Sequence, residues 1–96
     1  MIGLLLALAA FTANQGGVVQ LTFPDEPGVK SVEVDWQKKK IPFVRVQDGW
    51  MTVIGVDLDL KPGEQKAEVL FTMEDGRVDK RETTINVEHT SFPRLN

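Results

Sequence analysis

The fold of this chain is decided by the stretch SVEVDWQ at residues 31–37. Apolar side chains stand at every second position, which is the period of a β-strand with one face buried and one face in water. Alternating or β-branched runs continue on both sides of it. We predict six or seven short strands, in the ranges 18–23, 31–37, 41–46, 50–60, 66–72 and 83–87.

Turn residues separate these runs at short intervals. Asp48-Gly49 predicts a hairpin with a type I′ turn, because both central residues of that turn need positive φ. Pro62-Gly63 predicts a type II turn, and the EDGR sequence at 74–77 predicts another hairpin. Strands with a turn about every 8 to 12 residues indicate an all-β, immunoglobulin-like antiparallel β-sandwich.

The inward positions of the strands define a predicted core. The alternation places twelve large apolar side chains on buried faces. They are Leu21, Phe23, Val32, Val34, Trp36, Phe43, Ile54, Leu58, Val69, Phe71, Ile85 and Val87.

An apolar leader precedes the sandwich. Residues 1–13 carry no charged side chain and are rich in Leu and Ala. As a helix this run would measure about 20 Å, which is too short for a hydrocarbon core of about 30 Å. Its composition is that of a secretory signal, with small residues for cleavage at 7–9 or 8–10, although no Lys or Arg precedes it. The alternative is that the run forms a core helix or the first strand of the fold.

These features divide the chain into four parts. We predict a signal-like leader at 1–13, a flexible joint at 14–17, one sandwich domain at 18–90 and the start of a linker at 91–96. The leader predicts export to the periplasm or cell envelope, with no membrane span in the mature domain.

Composition limits the chemistry. With 11 basic and 14 acidic residues the chain has a net charge of −3, which argues against a nucleic-acid partner. The absence of cysteine excludes a disulfide, a thiolate metal site and a thiol nucleophile. His89 is the only histidine, and Asp57 and Asp59 lack the spacing of a calcium loop. We therefore predict no catalytic residue, no metal site and no cofactor.

Two features are candidate partner contacts. Lys38, Lys39 and Lys40 form a basic run that would attract an anionic polymer, or that serves as a solvated connection protecting strand edges. Trp50, beside a predicted turn, either belongs to the core or is exposed and stacks on a sugar or a partner domain.

A resemblance adds a functional expectation. The sequence WMTVIGVDLDLKPG at 50–63, together with Phe92-Pro93 further on, resembles the N-terminal β-sandwich domain that precedes the catalytic domain in LytM or lysostaphin-type zinc peptidases. One departure is Gln65, at a position near which that family often has an aromatic residue. The family's zinc ligands lie in His-x-x-x-Asp and His-x-His motifs of the downstream domain, which this chain does not contain.

The resemblance implies a non-catalytic accessory domain of an exported cell-wall peptidase. Its partner would be the peptidase domain of the same polypeptide, which it would position or cover. The alternative is a stand-alone envelope module that binds a glycan or a protein. A third hypothesis is a domain that donates or accepts a strand in an adhesive fibre.

Overall fold

The computed structural model describes residues 10–89, and these form the predicted all-β sandwich. They contain eight strands, because the predicted run at 41–46 divides at Phe43 and a further strand precedes residue 18. The strands are β1 (Phe11–Asn14), β2 (Val18–Pro24), β3 (Val29–Trp36), β4 (Lys39–Pro42), β5 (Val44–Val46), β6 (Gly49–Gly55), β7 (Gly63–Met73) and β8 (Val78–Glu88).

The strands form two sheets with an immunoglobulin-like order. One sheet has the order β1-β8-β7-β3-β4, and the other has the order β2-β6-β5. The five-stranded sheet contains strands C, F and G of the usual lettering, which are β3, β7 and β8, and β4 lies beside C. The three-stranded sheet contains strands B, E and D, which are β2, β6 and β5. All pairs are antiparallel except β1 and β8, which run parallel.

Aromatic side chains join the two sheets. The Phe23 ring of β2 lies 5.9 Å from Phe11, 5.5 Å from Phe43 and 6.0 Å from Phe71, measured between ring centroids. These distances are typical of favourable edge-to-face and tilted ring contacts. Phe71 is fully buried, so β1, β2, β7 and the segment between β4 and β5 all pack on one cluster.

Hydrogen bonds across the sandwich complement this packing. Trp36 is buried at the end of β3, and its indole Nε1 donates to the Gly55 carbonyl oxygen at 3.0 Å. Thr52 is also buried, and its hydroxyl donates to the Pro42 carbonyl oxygen at 3.0 Å. Because a buried polar group without a partner is costly, these bonds let polar side chains occupy the space between the sheets.

The predicted core is confirmed except at Leu58. That side chain is 56% exposed, because the chain after Gly55 leaves the sheet for a turn in which Leu60 N–H donates to the Asp57 carbonyl oxygen. The predicted strand extension over 57–60 is therefore wrong. The buried apolar residues not predicted are Ala13, Val19, Val29, Trp50, Val56, Ala67 and Leu70.

At the N-terminal side, the described residues favour the alternative given for the end of the apolar run. Phe11–Asn14 is a strand, and Ala13 is buried, so the run ends as the first strand of the fold. The predicted joint at 14–17 connects the two sheets and is held by backbone hydrogen bonds. Gly16 N–H donates to the Val56 carbonyl oxygen, and Val56 N–H donates to the Gly17 carbonyl oxygen. Residues 1–9 and 90–96, with the signal and linker predictions on them, lie outside the described residues.

The predicted hairpins are confirmed, but one turn is different. Val46 pairs with Gly49, so the loop is Gln47-Asp48 and Gly49 belongs to β6. Neither loop residue has positive φ, and the predicted type I′ turn at this place is therefore wrong. Positive φ is confirmed for Gly63, and Gly76 in the 74–77 hairpin also has positive φ.

Gln65 takes part in the bend that begins β7. Its side-chain Nε2 donates to the Lys61 carbonyl oxygen at 3.1 Å. In immunoglobulin domains a tyrosine near the start of strand F bonds back to the backbone a few residues upstream. The side-chain amide of Gln65 makes a hydrogen bond of the same kind. This corner therefore has a side-chain-to-backbone hydrogen bond although it lacks the aromatic residue.

Gly49 and Gly55 offer a matched test of the packing of β6. A Cβ on Gly49 would lie 2.1 Å from the Phe23 carbonyl oxygen, whereas a Cβ on Gly55 would meet nothing within 4 Å. We expect Gly49→Ala to lower the free energy of unfolding by about 3 kcal/mol, because backbone must move. Gly55→Ala should change it by less than about 1 kcal/mol. Urea unfolding measures both, and equal effects would contradict the close strand approach.

Candidate partner-binding surface

The lysine run lies at a tight hairpin between β3 and β4. Trp36 pairs with Lys39, so only Gln37 and Lys38 form the loop, with φ values of 50° and 66°. Positive φ at both central residues is the requirement of a type I′ turn, and neither residue is a glycine. The predicted strands leave residues 38–40 as a connection. In the structure only Lys38 lies in the loop, because Lys39 and Lys40 belong to β4.

The pleat of β4 separates the lysines. Lys39 lies opposite Trp36, and Lys40 lies opposite Asp35, so their side chains point to opposite faces of the sheet. Lys38 stands at the tip of the loop. All three are exposed, but they do not form one basic patch. An anionic polymer lying on one face would therefore meet only part of the predicted charge.

Trp50 is not an exposed stacking platform. It is 5% exposed, and its indole Nε1 donates to Asp25 Oδ1 at 3.3 Å. The Arg45 guanidinium covers the ring, with Cζ 4.7 Å from the ring centroid, and lies 3.4 Å from Asp25. Of the two alternatives predicted for Trp50, the structure has the core position, because Trp50 pairs with Phe23 on the inward face of β6.

The outer face of the five-stranded sheet is charged. Its outward positions alternate with the buried ones along β3, β4, β7 and β8. Six acidic and three basic residues occupy them: Glu33, Asp35, Glu64, Glu68, Glu82, Glu88, Lys40, Lys66 and Lys80. One ion pair on this face joins Lys66 and Glu82 at 3.4 Å, and both side chains are half exposed.

The outer face of the three-stranded sheet carries no charged residue. We call it the uncharged face, and define it by its ten outward positions, Val18, Gln20, Thr22, Pro24, Val44, Val46, Gly49, Met51, Val53 and Gly55. Its four valines are 40 to 70% exposed.

These residues form continuous rows across the strands. Met51 lies between Thr22 and Val44, and Gly49 lies between Pro24 and Val46. A shallow depression of about 420 Å³ lies beside Gly49 and the Gln47-Asp48 loop. Exposed apolar patches of this size are often sites of interaction with another surface.

A second depression lies at the end of the sandwich where β2 begins and β6 ends. It measures about 560 Å³ and lies between Trp36, Lys39 and Ile41 on one sheet and Val18 and Val56 on the other. Leu58 forms a further wall of it. We call this depression the sandwich mouth. Lys39 is the one predicted contact residue that lines it.

The most strongly paired charge lies near the loop between β2 and β3. The Arg81 guanidinium is 14% exposed, donates to both Glu26 carboxylate oxygens at 2.5 and 2.8 Å, and also pairs with Asp79 at 2.9 Å. Its Cζ lies 4.1 Å from the Phe71 ring centroid. The hydrogen bonds from Arg81 lower the pKa of Glu26. This cluster covers the buried Phe71 ring at one end of the core.

The described part of the chain contains no group of three or more His, Cys, Asp or Glu side chains that could hold a metal ion. His89 is exposed after β8. Within residues 10–89 no helix is long and apolar enough to cross a membrane. No protein-family model matches the sequence, and a comparison with curated proteins finds no significant match.

The strained turn gives a test of the lysine hairpin. Lys38 has φ 66°, and a left-handed conformation costs an L-residue with a side chain roughly 1 to 2 kcal/mol. We expect Lys38→Gly to raise the free energy of unfolding by about 1 kcal/mol, since glycine adopts this conformation freely but is more flexible when unfolded. Asp48→Gly is the control, because Asp48 has no positive φ. A destabilised Lys38→Gly variant would contradict the turn geometry.

The Glu26–Arg81 pair predicts a dependence on pH. Because the pKa of Glu26 is lowered from 4.5 in the folded protein, its contribution is present above pH 4.5 and is lost as the pH falls through the folded value. Glu26→Gln should therefore be less stable than the parent at pH 7, and the difference should shrink as the pH is lowered to 3. Urea unfolding across this range measures it. A difference independent of pH would contradict the pairing.

Proposed function

We propose that this chain is a non-catalytic accessory domain of an exported cell-wall peptidase, and that it positions the peptidase domain by docking through the uncharged face. The observation that carries the proposal is the contrast between the two outer faces. One bears nine charged residues, and the other bears none. A surface without charges can be covered by another protein surface without the cost of desolvating ions.

The size of the uncharged face favours a partner in the same polypeptide. Strands of seven residues, at about 3.4 Å per residue and about 4.8 Å between strands, make a face of roughly 300 Å². A stable complex between separate proteins usually buries about 800 Å² per partner. A linked domain needs less area, because the link keeps its effective concentration near the millimolar range.

The nature of the partner rests on the resemblance at 50–63. Its strand and Lys-Pro-Gly turn are present in the fold, as the end of β6 and the bend into β7. The leader predicted at the N-terminus supports export, so the periplasm or cell envelope is the proposed location. A peptidase domain of the LytM type is the proposed partner, and zinc chemistry would belong to that domain.

The alternative, a stand-alone module that binds an envelope glycan or protein, has weaker support. Its predicted contacts are separated: Trp50 is buried, and Lys39 and Lys40 point to opposite faces. Only the Lys39 side of the sandwich mouth combines a cation with apolar walls. Binding to an envelope component is therefore the second candidate function, and the experiment below distinguishes it from the first.

The proposal is tested with the coding frame beyond Asn96 and the domain that it encodes. We expect that frame to encode His-x-x-x-Asp and His-x-His motifs. The full 96-residue chain, titrated with the separately expressed peptidase domain up to millimolar concentration, should show NMR chemical-shift changes on the uncharged face, and these changes give the affinity. Val44→Lys and Val53→Lys should each weaken binding at least tenfold, because a buried lysine would lose its hydration.

Thr84→Lys is the matched control, since Thr84 lies on the charged outer face, and it should leave the affinity unchanged. Peptidoglycan hydrolysis by the chain alone with added zinc would overturn the proposal. Salt-sensitive retention on purified cell wall, lost in the Lys38→Ala, Lys39→Ala and Lys40→Ala variants, would support the alternative instead.

A further inference from the structure

Strand β2 is an edge strand of the three-stranded sheet. Within residues 10–89 it pairs on one side only, with β6. We call the side of β2 that faces away from β6 the free edge. The seven residues of β2 carry no charged side chain, and their pairing with β6 runs without a bulge from Val18 to Pro24. A long, regular and uncharged edge strand is a template on which another strand can pair.

The other three edge strands of the described residues have features that oppose pairing. β4 contains Lys39 and Lys40 and ends at Pro42. β5 has only three residues and includes Arg45, and β1 has only four residues. Charged side chains, proline and short length all keep sheet edges from joining. β2 differs from these strands, because it is longer, is uncharged and has its one proline at the last position.

The backbone groups on the free edge follow from the hydrogen bonds at the two ends of β2. Val56 N–H donates to the Gly17 carbonyl oxygen at 2.9 Å, and Asp25 N–H donates to the Asp48 carbonyl oxygen at 3.2 Å. Successive residues of an antiparallel strand direct their N–H and C=O groups alternately to one neighbour and to the other. The odd-numbered residues of β2 therefore bond to β6, and the even-numbered residues face the free edge. The residues with both a donor and an acceptor there are Val18, Gln20 and Thr22.

A second copy of β2 satisfies these backbone groups. When two copies pair antiparallel about a two-fold axis at Gln20, Gln20 lies opposite its own copy and Val18 lies opposite Thr22. Each facing pair exchanges two hydrogen bonds, which gives about six in all. Pro24, which has no N–H group, falls outside the paired segment. No like charges meet, because every side chain of β2 is uncharged.

We infer that two copies of this chain associate through the free edges of β2, in antiparallel register about Gln20. The same strand serves both copies, so the contact closes at two chains. It also joins the uncharged faces of the two copies into one continuous surface. The inference does not depend on the proposed peptidase partner, because both strands of the contact have the sequence of β2.

The association is expected to be weak. Only residues 18–22 of each copy pair, so the contact buries less than the roughly 800 Å² per partner that is usual for a stable complex. We therefore expect a dissociation constant of roughly 0.1 to 1 mM. Sedimentation of the full 96-residue chain should show monomers in dilute solution and dimers at millimolar concentration.

Single cysteines test the register, because the chain has no cysteine of its own. In the inferred dimer the two Gln20 Cα atoms are about 5.5 Å apart, within the range of a disulfide. Gln20→Cys should therefore form a disulfide-linked dimer under mild oxidation. Val53→Cys is the matched control, because Val53 pairs with Gln20 and is 51% exposed on the same face. Its two copies would be three strand spacings apart, about 14 Å, which is too far for the bond.

Hydrogen exchange tests the backbone contact in the unmodified chain. The amides of Gln20 and Thr22 should exchange quickly in dilute solution and at least about twofold more slowly at millimolar concentration, whereas the Leu21 amide should be protected at both. Gln20→Pro should abolish the dimer, since proline is tolerated where the N–H points away from the sheet but removes the donor. Gln20→Lys keeps the donor and should also abolish the dimer, because like charges would face each other.

Three results would overturn the inference. The first is a chain that sediments as a monomer at millimolar concentration. The second is crosslinking of Val53→Cys as readily as of Gln20→Cys, which would mean that the copies stack by their uncharged faces. The third is protection of the Gln20 and Thr22 amides that does not change with concentration, which would mean that the free edge is covered within one chain.

Discussion

The packing of Phe23 between the sheets is the constraint on which this structure depends. The chain has no cysteine, so no disulfide joins the two layers, and packing and hydrogen bonds hold them together. The Phe23 ring meets Phe11, Phe43 and Phe71 within 6.0 Å. These rings come from β1, from the β4–β5 connection and from β7, so one cluster brings together distant parts of the sequence. The close approach of Gly49 to the Phe23 backbone keeps β6 beside it.

The inner faces of both sheets are buried in that core. Contacts with another molecule can therefore form only on the outer faces, at the sheet edges and at the ends of the sandwich. The two outer faces differ sharply in charge, and the difference has a physical use. Charged side chains on the five-stranded sheet stay hydrated and oppose close contact. The three-stranded sheet has only apolar and uncharged polar groups outside, so contact with another surface removes apolar area from water at little electrostatic cost.

The two ends of the sandwich differ in their side chains. Near the β2–β3 loop, Arg81 spans Glu26 and Asp79 over the Phe71 ring. Such a pair is favourable because the guanidinium keeps several hydrogen bonds while its flat face covers an aromatic ring. The opposite end, beside Leu58, has no such ion cluster among the described residues. It remains apolar and accessible, with Val18 and Leu58 exposed in its walls.

The sequence by itself determined the strands, most of the core and the hairpins, because an alternation of period two and turn residues such as Pro62-Gly63 are local properties. It also excluded thiol chemistry. Only the tertiary structure decided where Trp50, Leu58 and the lysines lie. Arg45 covers the Trp50 ring because the pairing of β5 with β6 places the two residues opposite each other. The register of β4 places Lys39 and Lys40 on opposite faces of the sheet. The uncharged face likewise needed the structure, because β2 lies beside β6 in the sheet although β3, β4 and β5 separate the two strands in the chain.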